Sequence, residues 1–180
     1  MTLPNRILLT VVCVLLVLIS VLVYLNNSDA ALKRALQENR QFLLKVDGET
    51  AAVVHLQDIL DCKPERFTTR LSSTTMLPRD VDFEGVELRL LYAFLGMDIP
   101  AAALFHVRGL DGYFSPISAT EVTAENKIYI CISMDGEILQ AKSAGGWGPF
   151  MLVIRDSAFA QRWCKYVEEI DARQLHDESP

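Results

Sequence analysis

The sequence predicts an α+β fold with mixed or antiparallel sheets and short helices, preceded by one N-terminal transmembrane helix. Residues 7–25 form an uncharged, aliphatic run at the start of the chain. Two later stretches turn back at Asp-Gly pairs, which are typical of β-hairpins. Short helical patterns lie between the strand patterns without the regular alternation of a parallel α/β sheet. The globular part of about 150 residues suits a single domain.

The N-terminal run reads "ILLTVVCVLLVLISVLVYL" from Ile7 to Leu25. As a helix it would extend roughly 28 Å, close to the thickness of the hydrocarbon core of a bilayer. The run is longer than the apolar part of a usual signal peptide, and "NNSDAALK" after it offers no A-x-A-like cleavage site. We therefore expect residues 1–27 to be an uncleaved membrane anchor rather than a cleaved signal peptide.

The basic residues around this run bear on its orientation. Arg6 precedes the run, whereas Lys33, Arg34 and Arg40 follow it, so a strict count would hold the C-terminal side inside. Long domains, however, translocate largely regardless of charge, and a short N-terminal stub commonly stays in the cytoplasm. We expect a single-pass protein of the inner (cytoplasmic) membrane with a periplasmic, extracytoplasmic soluble domain.

The charge of the chain excludes one class of partner. The formal net charge is −6, and no cluster of basic residues is longer than Lys33-Arg34. Nucleic-acid binding needs a basic stripe that follows the phosphates. The sequence therefore predicts no nucleic-acid partner.

Residues 28–44 predict a juxtamembrane helix, because Leu32, Leu36 and Leu43 recur at helical spacing after Ser28 or Asp29 as N-cap. Residues 45–170 form the predicted globular domain, and residues 171–180 a polar tail. The pair Asp47-Gly48 predicts the first turn of that domain.

Three segments follow this turn. The stretch "AAVVHLQDIL" predicts a short helix. The stretch "RFTTRLSSTTMLP" is rich in Thr and Ser, which suits a strand or an extended, hydroxyl-lined loop that ends at Pro78. The stretch "VELRLLYAFLG" predicts a helix that stops at Gly96.

The second half of the chain predicts mostly strands. The stretches "LFHVRGLDGYFSPIS" and "KIYICISMDGEILQAK" predict hairpins that turn at Asp111-Gly112 and at Asp135-Gly136. Between them, Ser118 and Glu121 have the spacing of a capping box. The stretch "FMLVIRD" predicts a buried strand, and "AQRWCKYVEEI" predicts either a helical turn or a final strand.

No motif in the sequence defines an active site. The three histidines, His55, His106 and His176, are far apart and lack metal-ligand spacing. Outside the N-terminal run the cysteines are Cys62, Cys131 and Cys164, without a C-x-x-C pair. A disulfide between Cys131 and Cys164 is one interpretation, and isolated buried thiols are the one that we favour.

The order of several blocks resembles the molybdopterin-binding fold of the sulfite oxidase type. The blocks are "FEGVELRLLYAFLG", "GLDGYFSPISATEV" and "ISMDGEILQAKSAGGWGPFMLVI", with Trp163 near the position of the family's closing tryptophan. The resemblance covers roughly residues 45–170. It implies a sulfite oxidase-like fold, and a loop at Gly145 to Phe150 where the backbone approaches a cofactor closely.

Within that resemblance, a pocket is implied between Ser73, Thr74 and Thr75 on one side and the loop of Gly146, Trp147, Gly148 and Pro149 on the other. Trp147 would serve as an apolar or stacking wall. Glycine suits such a loop because it leaves no Cβ in the way. A Gly/Pro corner before a core strand would look the same in any α+β protein, so this alternative stays open.

Three departures from the family pattern bear on chemistry. Ser72 to Thr75 stand where catalytic members place the cysteine that binds molybdenum, and Cys62 lies too far upstream. Met151 replaces an arginine, and Gly146 matches the position of a frequent histidine. A hydroxyl replaces a thiolate poorly at a soft metal. The "TT" pair before Pro78 instead resembles a short subgroup of the family that has a Thr-rich strand and also lacks the cysteine.

Two functions follow from these observations. The first is a membrane-anchored binding or sensory module, or accessory subunit, without molybdenum chemistry, which signals to a membrane signalling or redox protein partner. The alternative is a molybdopterin-dependent oxidoreductase in which Cys131 or Cys62 reaches the metal. The first predicts no cofactor, and the second predicts a bound molybdopterin.

Overall fold

The computed structural model describes residues 3–73, 76–157 and 160–174, without the side chains of residues 3–10, 25–30, 73 and 76. The chain divides into two compact units, Met1–Ala35 and Leu36–Pro180. Thr74 and Thr75 of the predicted pocket lie outside the described residues, as does His176.

The first unit consists of helix α1, which runs from Leu3 to Glu38 and continues into the second unit. A helix therefore occupies the segment where the sequence predicts an anchor. The large apolar side chains between Val11 and Tyr24 are 42% to 71% exposed. Among the described residues, however, no helix combines the length and the apolar character that crossing a membrane requires. The predicted membrane span is not confirmed.

The described residues of the second unit form two five-stranded sheets and three short α-helices, so the mixed α+β prediction is confirmed. The first sheet has the order β2-β1-β10-β5-β6, with β1 and β10 parallel and the other neighbours antiparallel. The second has the order β3-β4-β7-β8, and β9 also pairs with β7. The strands are β1 Gln41–Val46, β2 Glu49–His55, β3 Glu65–Ser73, β4 Met76–Glu87, β5 Ala103–Gly109, β6 Phe114–Ser118, β7 Ile128–Met134, β8 Glu137–Ile138, β9 Met151–Ile154 and β10 Val167–Gln174; the helices are α2 Leu56–Asp61, α3 Leu88–Phe94 and α4 Ala119–Thr123.

The Asp-Gly turns and the capping box are confirmed. Asp135 and Gly136 have φ angles of 53° and 83°, which is the left-handed region that a two-residue hairpin turn requires. The Ser118 hydroxyl accepts a hydrogen bond from the backbone N–H of Glu121, whose carboxylate accepts one from the Ser118 N–H at 3.1 Å. Helix α3 ends before Gly96, which has a φ of 66°.

Two predicted boundaries are wrong. Residues 41–44, assigned to the juxtamembrane helix, belong to β1, because Phe42 and Leu44 alternate into the core and are fully buried. Residues 171–174, assigned to the polar tail, extend β10, since Asp171 and Ala172 are buried beside β5.

Two element assignments are also wrong. The first half of "AAVVHLQDIL" is strand β2, because pairing with β1 overrides its helical spacing. Pro78 does not end a strand. It lies within β4, at an irregularity of the β3–β4 register between Leu71 and Ser73, where a missing N–H costs little.

Aromatic contacts mark the core between the sheets. Phe42 of the first sheet packs edge-to-face on Phe150, which precedes β9 of the second, with 5.0 Å between the ring centroids. Trp163 packs on Phe83 at 5.6 Å and donates a hydrogen bond to the Ile154 carbonyl. This core fixes the C-terminal end of the glycine loop, since Phe150 follows the loop directly.

Candidate functional site

The glycine loop joins β8 to β9 and passes close to its own chain. A Cβ on Gly146 would lie 2.2 Å from the Gln140 carbonyl oxygen, and a Cβ on Gly148 would lie 2.6 Å from the Leu139 Cβ. The Gly148 N–H donates to the Gln140 carbonyl at 2.8 Å. The close approach is therefore between two parts of this loop. This arrangement matches the alternative in which a Gly/Pro corner simply precedes a core strand.

The end of the loop is anchored in the core. Gly148 and Pro149 are buried and are joined by a cis peptide bond. Phe150 and Met151 follow them into the core with 0% and 1% exposure. Met151, at the position of the family's arginine, faces this core and can hold no anionic group.

A small cavity opens beside the loop. It has a volume of about 190 Å³, and Gly145, Gly146 and Trp147 form one wall. The other residues that line it are Met134, Glu137, Ile138, Leu139 and Gln140. Gly146 and Trp147 of the predicted site therefore line a cavity, whereas Gly148 and Pro149 are buried and are not among its lining residues.

Two lysines sit over two aromatic rings, one of which, Trp147, lines this cavity. The Lys165 ammonium lies 3.4 Å from the centroid of the Trp147 ring, and the Lys142 ammonium lies 5.3 Å from that of Tyr166. The Tyr166 N–H donates to the Trp147 carbonyl at 3.0 Å, which holds the two rings on adjacent segments. We call Lys142, Trp147, Lys165 and Tyr166 the lysine–aromatic cluster.

The backbone and the electrostatics of this cluster are unusual. Tyr166 has a φ of 56°, a left-handed conformation that is strained for a bulky side chain. Burial lowers the pKa of Lys165, against the opposing effect of Asp111. Burial also raises the pKa of Tyr166, with Asp111 as the second cause. Lys165 and Tyr166 are therefore partly desolvated, whereas Lys142 is exposed.

Ser73, the other side of the predicted pocket, lies elsewhere. It pairs with Met76 near the tip of the β3–β4 hairpin. The pairing of β4 with β7 begins only at Phe83, so this tip extends about 20 Å further at the usual rise of a strand. Strands β3 and β8 are also opposite edges of their sheet. The structure does not bring Ser73 and the glycine loop together.

The thiols do not fit a molybdenum site. Cys131 and Cys164 are fully buried. Burial raises the pKa of Cys131 well above its ordinary value, and raises that of Cys164 to about 12. Half-buried Cys62 follows α2, and burial raises its pKa as well. Since a metal needs access to the thiolate, the two buried groups Cys131 and Cys164 are not placed to act as ligands.

The cysteines and other ligand types give no alternative metal centre. All four cysteines are free thiols, so the interpretation as isolated thiols holds for Cys131 and Cys164 and the disulfide interpretation is wrong. Among the described residues, no group of three or more His, Cys, Asp or Glu side chains could hold a metal ion.

A larger cleft of about 420 Å³ lies on the outer face of the second sheet. Its polar groups pair with one another across the strands. Thr68 donates to Asp82 at 2.6 Å, Arg66 lies 3.4 Å from Glu84, and Arg79 binds Asp135 at 2.7 Å. The chemistry of this cleft is satisfied internally, so we place the candidate site at the lysine–aromatic cluster.

Comparison with known proteins defines the fold only. No family model and no curated protein matches the chain. The crystal structure of the sulfane dehydrogenase SoxCD from Paracoccus pantotrophus is similar, with a TM-score of 0.61 and 17% sequence identity. The match covers 77% of this chain and 39% of that chain. The chain therefore shares its fold with part of this sulfane dehydrogenase, and spans well under half of that chain's length.

Sequence reasoning missed Lys142, Lys165 and Tyr166. Lys165 and Tyr166 come next to Trp147 only because strand β9 and the 3-10 turn Ala160–Arg162 lead the chain back to the glycine loop. A lysine next to an aromatic residue has no periodicity that would indicate a site. The sequence does single out Trp147 in its glycine-rich loop, and this residue lines the cavity.

Proposed function

We propose that this chain is a membrane-anchored binding module on a molybdopterin-oxidoreductase-like fold, and that it does not carry molybdenum redox chemistry. The observation that carries the proposal is the state of the thiols. Cys131 and Cys164 are sealed in the core, with pKa values raised by burial. A soft metal needs a thiolate ligand, and the side-chain hydroxyl groups of residues 72–75 do not replace one.

The binding role rests on the cavity beside Trp147. A module needs a concave surface with a few polar groups, and this cavity is lined by bare glycine backbone, the Trp147 indole and Glu137, with the Lys165 ammonium 3.4 Å from the centroid of the Trp147 ring. Its walls are fixed by the contacts of Gly146 and Gly148 with Leu139 and Gln140. The site is thus preformed, which lowers the entropic cost of binding.

The anchoring role rests on the sequence of residues 7–25, which carry no charge. In the same helix the apolar side chains from Val11 to Tyr24 are exposed, and a lipid environment would cover them. We place the domain outside the cytoplasm, with a membrane signalling or redox protein as its partner.

The decisive experiment separates this function from a molybdopterin-dependent oxidoreductase. The full-length chain is produced in a host that makes molybdopterin and is purified in detergent. Molybdenum is measured by elemental analysis, and released pterin is measured by fluorescence after denaturation. We expect neither in stoichiometric amount. One molybdenum per chain, lost in Cys131→Ala or Cys62→Ala, would establish the oxidoreductase instead.

A further inference from the structure

We propose that His106 and Asp171 form an acid-sensitive latch for the Asp47-Gly48 turn. At neutral pH the Asp171 carboxylate holds this turn to β10 through a hydrogen bond, and protonation of His106 breaks that bond. The inference goes beyond the proposed binding role and does not depend on it. It concerns the face of the first sheet that is turned away from the core.

The positions of the two residues come first. His106 and Asp171 lie directly opposite each other in the antiparallel pair of β5 and β10. Their neighbours Phe105 and Ala172 are fully buried in the core, so the alternation of the strands turns His106 and Asp171 to the other face of the sheet. Side chains at directly opposite positions have their Cβ atoms about 5 Å apart. A protonated imidazole at this separation can form an ion pair with the carboxylate.

Both carboxylate oxygens of Asp171 have partners in the structure. Oδ1 accepts a hydrogen bond from the Gly48 N–H at 3.0 Å, and Oδ2 accepts one from Arg173 at 2.8 Å. Asp171 is only 2% exposed, so water does not compete for it. The Asp47 N–H also donates to the Ala172 carbonyl at 3.0 Å. This backbone bond keeps the turn near β10, so opening of the latch is a local event.

The charged groups around His106 decide which partner its proton finds. They are Arg108 on β5, Glu169, Asp171 and Arg173 on β10, Lys45 on β1 and, from the core side, Tyr92 of α3, whereas β6 contributes the uncharged Phe114, Pro116 and Ser118. Glu169 already binds two cations, with Lys45 at 2.6 Å and Arg108 at 3.3 Å. Among these groups, Asp171 therefore remains as the carboxylate partner of a protonated His106.

The titration of His106 has a defined sign. Burial lowers the pKa of His106, and Arg173 and Arg108 add to this effect against the opposing effect of Asp171. The folded state therefore binds this proton less readily than the unfolded state. The contribution to stability is complete above the ordinary pKa of a histidine and is lost as the pH falls below it. Once the proton is bound, the imidazolium competes with Gly48 and Arg173 for the carboxylate.

The titration of Asp171 itself belongs to a lower pH range. Burial would raise the pKa of Asp171, but the hydrogen bonds from Gly48 and Arg173 lower it below the ordinary value of an aspartate. Loss of the Gly48 bond near the pKa of a histidine therefore reports His106, whereas loss in strong acid reports Asp171.

The test follows the Gly48 amide by NMR in the purified full-length chain in detergent. Aspartate labelled with ¹³C at the carbonyl and glycine labelled with ¹⁵N select the amides of Gly48, Gly112 and Gly136, because only these glycines follow an aspartate. All three have a positive φ of 83° to 86°, so Gly112 and Gly136 are matched controls within the same molecule. Asp111→Asn and Asp135→Asn each remove one signal and thereby assign the spectrum.

We expect the exchange of the Gly48 amide with water to rise about tenfold relative to Gly112 and Gly136 between about pH 7.5 and pH 5, because a hydrogen bond to a carboxylate is lost. The ratio removes the intrinsic pH dependence of amide exchange. His106→Gln should keep the ratio constant over this range. Arg173→Gln should move the midpoint to higher pH, since a positive charge near His106 is removed. His55→Gln, at the end of β2, is the control and should behave like the wild type.

A constant ratio in the wild type over this range would overturn the proposal, and so would an equal rise in His106→Gln. A rise that begins only in strong acid would assign the effect to Asp171 alone and would overturn the role of His106. Signals of Gly112 and Gly136 at their wild-type positions show that each variant is folded. Since neither the cavity beside Trp147 nor molybdenum enters this test, its failure leaves the proposed function untouched.

Discussion

The ammonium of Lys165 lies 3.4 Å from the centroid of the Trp147 ring, although the whole of core strand β9 separates the two residues along the chain. This contact closes the glycine loop against the segment that leads into β10. It therefore couples the stability of the loop to the charge of one lysine.

A double-mutant cycle measures this coupling. Lys165→Met removes the charge but keeps an apolar stem, and Trp147→Leu removes the ring. We expect a coupling of about 0.5–2 kcal/mol in the free energy of unfolding, because the contact is partly desolvated. Urea denaturation of the wild type, both single variants and the double variant gives the value. Strict additivity would show that the contact contributes nothing to stability.

Arg162 and Glu121 predict a pH dependence. Arg162 donates to the two Glu121 carboxylate oxygens at 2.7 and 3.1 Å, and this pairing is the main cause that lowers the pKa of Glu121 to about 2. Between that value and the ordinary pKa of a glutamate, the unfolded state binds more protons than the folded state. The pair therefore stabilises the fold above the ordinary pKa, and this stabilisation is lost as the pH falls toward 2.

Glu121→Gln should remove this part of the acid sensitivity and lower stability near neutral pH by about 1 kcal/mol, since the pair is partly exposed. Unfolding midpoints between neutral and acidic pH give the comparison. Glu49→Gln, at an exposed position of β2, is the matched control and should retain the wild-type profile. An unchanged profile in Glu121→Gln would contradict the assignment.

The glycine loop predicts a steric effect. Gly146→Ala places a Cβ 2.2 Å from the Gln140 carbonyl oxygen, so the backbone must move, at a cost of about 1–3 kcal/mol. Gly145→Ala meets no atom within 4 Å, and its left-handed φ of 77° costs about 1 kcal/mol. Thermal unfolding should rank Gly146→Ala as the less stable variant. The reverse order would mean that the loop relaxes easily.

Two buried tyrosines predict opposite effects. The Tyr92 hydroxyl is buried and has no hydrogen-bond partner among the described residues, whereas the Tyr129 hydroxyl donates to Glu65 at 2.6 Å. We expect Tyr92→Phe to be neutral or stabilising by about 1 kcal/mol, because an unsatisfied polar group leaves the core. Tyr129→Phe should destabilise by a similar amount. Equal losses in the free energy of unfolding of the two variants, measured by chemical denaturation, would contradict this prediction.

The proposed anchor predicts membrane association. The full-length chain should stay in the membrane fraction after alkaline carbonate extraction, because residues 7–25 would hold it by apolar contact rather than by charge. A C-terminal phosphatase reporter that needs export should be active, and a reporter that works only in the cytoplasm should be silent. Release by carbonate would contradict the anchor, and the opposite reporter pattern would contradict the orientation.

Local chemistry explains which parts of the fold could be predicted. Asp47-Gly48, Asp111-Gly112 and Asp135-Gly136 each specify a turn through the backbone freedom of glycine. Ser118 and Glu121 specify a helix start through two hydrogen bonds within four residues. The boundaries at Gln41 and at His55 could not be predicted, because pairing between β1 and β2 decided them against the local pattern.

The sequence by itself determined the hairpin turns, the short helices, the uncharged N-terminal run and the position of the glycine loop, since each depends on residues close together in the chain. Only the tertiary structure decided what that loop contacts, which thiols are buried and which lysines meet Trp147. Those outcomes depend on how β9 and β10 pack across the core. Contacts between distant segments produce no regular residue spacing that could be recognised in the sequence.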